Sequence, residues 1–66
     1  MSDVETLKAE IKKLSARAIA AKMNLHDLSE ELPIDWEKIP AVAQDAFVAY
    51  RDLTEARAKL KQTENA

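Results

Sequence analysis

Val4, Leu7, Ile11, Leu14, Ala18, Ala21, Leu25, Leu28 and Leu32 recur at alternating spacings of three and four residues for four heptads, and the run ends at Pro33. Only an α-helix gathers positions so spaced onto one stripe, so the first half of the chain is predicted to be one long amphipathic helix. An apolar stripe of that length needs something to cover it. In a chain of 66 residues the cover comes from the second half of the molecule and from self-association, because so short a chain buries little core alone. Ser2 followed by Glu5 forms a capping-box pattern that starts the helix near Asp3.

Two prolines, Pro33 and Pro40, bracket the segment Ile34–Asp35–Trp36–Glu37–Lys38–Ile39. Each drives the residue before it away from helical angles, so this stretch is predicted to be the turn. Asp35 is positioned to cap a single helical turn over Trp36 to Lys38, and Pro40 suits the start of a second helix. The expected organisation is a single hairpin: helix 1 over about 3–32, a turn over 33–39, helix 2 over about 40–62, and frayed residues from Thr63 to Ala66. The fold class is all-α, an antiparallel two-helix hairpin that dimerises into a four-helix bundle.

Helix 2 carries two overlapping seams. Ile39, Ala43, Ala46, Tyr50, Leu53, Arg57 and Leu60 form one; Val42, Ala46, Ala49, Leu53, Ala56 and Leu60 form the other. A face wide enough for both suits a helix that touches its hairpin partner and a second subunit. Leu7, Ile11, Leu14, Ala18, Ala21, Leu25, Leu28, Ala46, Phe47, Tyr50 and Leu53 are therefore expected in the core or the dimer interface, with the alanines permitting close backbone approach at mid-bundle.

What the chain lacks narrows its chemistry. With no cysteine it has no disulfide, thiolate zinc site or cysteine-ligated cluster of its own. Without glycine it has no phosphate-cradling loop. No run of about 20 apolar residues suggests a membrane span and no signal-peptide pattern opens the chain, which reads as a soluble, cytoplasmic protein. Its serines share a single histidine and lack an oxyanion turn, so no enzyme activity is expected. The inward Glu-x-x-His pattern of four-helix di-metal proteins is absent, because Met23 stands three residues before His26.

Charge is unevenly spread. Lys8, Lys12, Lys13, Arg17, Arg57, Lys59 and Lys61 lie toward the chain ends, while Asp27, Glu30, Glu31, Asp35 and Glu37 cluster near the turn, which would make the hairpin a dipolar rod. A dimerising hairpin is also the architecture of the RNA-binding regulator Rop. Here a net charge of −2 and the lack of an aromatic in the basic part of helix 1 argue against nucleic acid. His26, the only histidine, could be paired across a two-fold axis, where two imidazoles with oxygens from Asp27 or Glu30 would suit nickel or zinc. The simpler reading of His26 is a polar surface residue. Ile34, Trp36 and Glu37 admit two roles: by default the apolar pair staples the turn onto the helices, and the rival is a docking tip for another protein.

The run Lys22–Met23–Asn24–Leu25–His26–Asp27–Leu28–Ser29–Glu30–Glu31–Leu32–Pro33, followed by Trp36, Pro40, Ala43 and Tyr50, resembles the Rop-like family of small nitrogen-fixation-associated helical-hairpin proteins. The resemblance spans nearly the whole chain and is most specific in the Met-x-Leu-His-Asp-Leu run with its Leu-Pro and Trp. It implies a dimeric hairpin, a divalent metal held at the histidine, which here is His26, and association with nitrogenase or its cofactor-assembly machinery. On that basis the chain is expected to be a non-enzymatic accessory protein, requiring no cofactor, that docks onto a component such as the molybdenum–iron protein. A metal-binding role at His26 is the runner-up, and RNA binding comes third.

Overall fold

Two long helices and the turn between them account for the architecture. The computed structural model describes residues 3–65; the Ser2 cap lies outside them. Helix α1 spans Asp3–Glu31, a single turn of 3-10 helix covers Trp36–Lys38, and helix α2 spans Ile39–Asn65. The helices lie side by side as an antiparallel rod with Cα extents of 49 × 14 × 13 Å. Asp3 and Glu5 in the first turn of α1 place negative charge where the helix dipole favours it.

Pro33 ends α1 at Glu31. The freed Glu31 carbonyl accepts a hydrogen bond from the Ile34 amide at 2.9 Å, and the Pro33 carbonyl accepts one from Trp36 at 3.3 Å. Asp35 occupies the position before the 3-10 turn, yet its side chain caps nothing. It enters the left-handed region instead, at φ 61° and ψ 27°, where Asp is among the few non-glycine residues tolerated. Its carbonyl accepts the Lys38 amide at 2.9 Å, and its carboxylate pairs with Lys38 Nζ at 3.6 Å. Because a left-handed non-glycine residue carries a cost of roughly 1 kcal/mol or more and the exposed ion pair returns little, Asp35→Gly should raise the melting temperature by a few degrees in a thermal melt.

Helix α2 begins one residue early, at Ile39, which keeps right-handed helical angles (φ −50°, ψ −49°) despite preceding Pro40, so the turn expected over 33–39 ends at Lys38. It continues three residues past the expected end at Gln62, so Thr63 to Asn65 are helical rather than frayed, while Ala66 lies outside the described residues. The Thr63 hydroxyl donates to the Lys59 carbonyl at 2.9 Å within that last stretch, and Lys8 Nζ reaches Glu64 at 3.8 Å across the hairpin.

Packing resolves the ambiguity of the second helix. Ala46, Ala49 and Leu53 are buried, with Val42, Ala56 and Leu60 half-buried beside them, whereas Ile39, Tyr50 and Arg57 are exposed. The seam through Val42 and Ala49 is therefore the one that meets α1. The buried cluster is Ala18, Ala21, Ala46, Ala49 and Leu53, with Ile11, Leu14 and Leu25 packed on it. Leu28 is buried nearer the turn, and Leu7 is half-buried toward the free end. Alanines dominate this core because two helices in contact through small side chains approach closely.

Phe47, expected in the core or an interface, is 62% exposed and takes no part in the hairpin core. It lies about 200° round the helix from Ala49, which is fully buried, so a residue at its position cannot face α1. Tyr50 sits on the flank of the same outer surface.

Candidate functional site

The turn presents its large side chains to solvent. Ile34 is 65% and Trp36 61% exposed, and both neighbours of Trp36 along the chain, Asp35 and Glu37, are exposed carboxylates. The expectation that Ile34 and Trp36 staple the turn onto the helices is therefore incorrect. The physical reason lies in the local backbone: the proline-led turn and the left-handed Asp35 carry residues 32–38 beyond the end of the interhelical seam, where all are exposed. Two bulky apolar groups in water at one end of a rod, ringed by charge, have the composition of a small protein-contact patch.

His26 lies in the penultimate turns of α1, and its side chain is 66% exposed. Its Nδ1 is 3.7 Å from Asp27 Oδ1 and its Nε2 is 3.4 Å from Glu30 Oε2. The two ring nitrogens point to different carboxylates, so His26, Asp27 and Glu30 of one hairpin do not converge on a single ion. Among the described residues no group of three or more His, Asp or Glu side chains is arranged to hold a metal. The Nε2 side, with Glu30 one turn away, supplies two ligands at most. Ser29 Oγ donates to the His26 carbonyl at 2.8 Å, a helix back-bond that does not involve the imidazole.

The basic part of helix 1 does not form one patch. Lys12 lines a shallow groove between the helices with Lys8, Ser15 and Arg57, while Arg17 lines a groove with Ala20, Ala21, Asn24 and Asp45 and reaches Asp52 Oδ2 at 3.8 Å. Asp52 also accepts two hydrogen bonds from its neighbour Arg51, at 3.1 and 3.2 Å. Lys12 and Arg17 diverge because residues five apart point about 140° from each other on a helix. The dipolar rod is also weaker than the selected cations suggest. Asp3, Glu5, Glu10, Asp52, Glu55 and Glu64 share the free end with its seven cations and Arg51, so only the turn end carries a clear excess of one sign.

Among the described residues, no helix is long and apolar enough to cross a membrane. The surface depressions among the described residues are shallow, open grooves along the two helices, without the enclosed apolar walls of a substrate site.

Comparison with known proteins agrees with this shape. A solution NMR structure from the Northeast Structural Genomics Consortium superposes with a TM-score of 0.91 at 46% sequence identity, covering 98% of this chain and 92% of that one. A UPF0437 protein of Azorhizobium caulinodans is 61% identical over 64 residues, 97% of this chain and 93% of its own length. A relative from Frankia alni, 37% identical over 51 residues (77% of this chain and 62% of its own), is described as a UPF0437 protein in the nifX-nifW intergenic region. The Rop-like family model matches residues 2–65. With the paired helices, the turn and the sequence all in agreement over that span, the chain belongs to the Rop-like family.

Proposed function

We propose that this chain is a non-enzymatic, cytoplasmic accessory protein of nitrogen fixation that docks onto a nitrogenase component, the molybdenum–iron protein or a cofactor-assembly protein, during assembly or stabilisation. The observation that carries the reading is the solvent-facing pair Ile34 and Trp36 at the end of a rigid hairpin. Tryptophan in such a setting anchors interfaces, because a large apolar area is buried at small entropic cost. The Frankia relative's position between nifX and nifW supplies the biological setting.

The working unit in this reading is a homodimer. Two hairpins pack as a four-helix bundle, which covers apolar surface that one hairpin leaves exposed. The second reading is divalent-metal binding, nickel or zinc, by two copies of His26 with Glu30. Its support is the accessible Nε2 and the carboxylate 3.4 Å away.

Tagged protein purified from nitrogen-fixing cells separates the two readings. Trp36→Ala should reduce recovery of nitrogenase polypeptides at least ten-fold while circular dichroism stays unchanged, because the side chain holds nothing in the hairpin. His26→Ala should leave recovery intact. Loss on His26→Ala alone would transfer the function to the metal reading, and absence of nitrogenase polypeptides from the wild-type eluate would remove the docking reading.

A further inference from the structure

The hairpin has a second unpartnered surface, and its charge specifies a partner. On α1, Lys8, Lys12, Ser15, Ile19, Lys22 and His26 repeat at spacings of four and three, forming a second stripe beside the buried one. On α2, Ala43, Phe47, Tyr50, Thr54, Arg57 and Lys61 repeat in the same way. The two stripes belong to one face of the rod, because Lys8, Lys12 and Ser15 from α1 and Arg57 from α2 line a single groove. Every one of these residues is exposed except Ser15 and Ala43, which are half-buried.

The chain has 12 acidic residues in 66, yet none occupies either stripe, which carry four lysines and an arginine. Carboxylates reach only the margins: Glu64 pairs with Lys8 at 3.8 Å, Asp27 and Glu30 flank His26 at 3.7 and 3.4 Å, and Glu55 edges the depression formed by Phe47, Tyr50 and Thr54. The grooves on the other side are lined instead by Glu10, Asp45, Asp52 and Glu55, with Arg17 and Lys59. At mid-length the cationic face holds exposed Ile19, Phe47 and Tyr50. An apolar centre flanked by cations on both helices complements an amphipathic helix whose apolar stripe is bordered by Asp and Glu.

We propose that this face is a docking surface for an acidic amphipathic helix of another protein. Pairing the face with a second copy of itself would set cations against cations, and a face-to-back contact between copies would not close and would propagate into filaments. Nucleic acid fits less well, because the large apolar residues at the centre have no counterpart in a phosphate backbone and the acidic opposite face repels a long polyanion. The proposal is independent of the Trp36 tip, since neither Ile34 nor Trp36 lies on these stripes.

The test titrates the full chain, isotopically labelled for NMR, with a 21-residue designed helical peptide bearing a leucine stripe flanked by glutamates. A sister peptide with lysines in place of the glutamates and a structured RNA hairpin serve as the alternative probes. The glutamate peptide should bind and shift the amides of Ile19, Lys22 and Tyr50. Binding should weaken with salt and fall on the order of ten-fold or more in the triple variant Lys12→Glu, Lys22→Glu, Arg57→Glu. All three positions are exposed, so the helical signal of the variant should match wild type, and sedimentation should show an unchanged oligomeric state. Equal binding of the lysine peptide would overturn the proposal, as would RNA binding in place of peptide binding. Dissociation of the wild-type oligomer by the triple variant would overturn it too, by assigning the face to a second copy. Retained nitrogenase capture by the triple variant, beside loss in Trp36→Ala, would leave the tip reading standing if this one falls.

Discussion

Leu53→Ala is expected to lower stability by about 2–5 kcal/mol, the range for truncating a buried leucine, and so to leave much of the population unfolded at 25 °C. Leu53 is 3% exposed and is the one leucine in a buried cluster otherwise made of alanines, Ala18, Ala21, Ala46 and Ala49. A core of alanines excludes water through close backbone approach but contributes little apolar area per residue. Removing the bulk of Leu53 therefore takes a large share of what holds the hairpin, and the surrounding methyl groups cannot move in to fill the void. Urea titration followed by circular dichroism measures the loss. A shift corresponding to less than about 1 kcal/mol would mean that Leu53 is not a principal contact between the helices.

The reverse change one turn away is expected to be nearly as harmful. Ala49 and Ala18 are both fully buried, 0% exposed, so the two helices leave no space at this point. Ala49→Leu adds three carbons where the backbones are closest and forces the helices apart, at a cost of about 1–3 kcal/mol. Thermal melts should show the destabilisation. Double substitution of Leu53→Ala with Ala49→Leu should recover part of it, because the two sites are one turn apart on the same buried face and their effects are not additive. Full additivity would place the two side chains in separate environments.

The candidate site was legible in part. Trp36 and Ile34 are conspicuous as large apolar residues between two prolines, but stapling and exposure differ only in the path of the turn. Pro33 marks the end of α1, but the path beyond it depends on Asp35 taking a left-handed conformation, which no pattern in the sequence encodes. His26, Asp27 and Glu30 are contiguous enough to suggest a ligand set, yet adjacent residues on a helix diverge by about 100°, and the imidazole ends up between two carboxylates. The cationic face was hidden for a different reason. Its spacing on each helix is regular, but lysines and arginines recur throughout the chain, and nothing marks these as one surface until Arg57 and Lys12 are brought to the same groove.

By itself the sequence determined the helical hairpin. A strict three-and-four apolar repeat admits only an α-helix, and the paired prolines admit only a break after about residue 32. Which of the two seams of α2 turns inward was left to the tertiary structure, because both are apolar enough to be buried and both contain Ala46, Leu53 and Leu60. Close approach at Ala18 and Ala49 selects the seam with the smaller side chains. That rotation of α2 leaves Ile39, Phe47 and Tyr50 outside, because only the small side chains fit where the backbones meet.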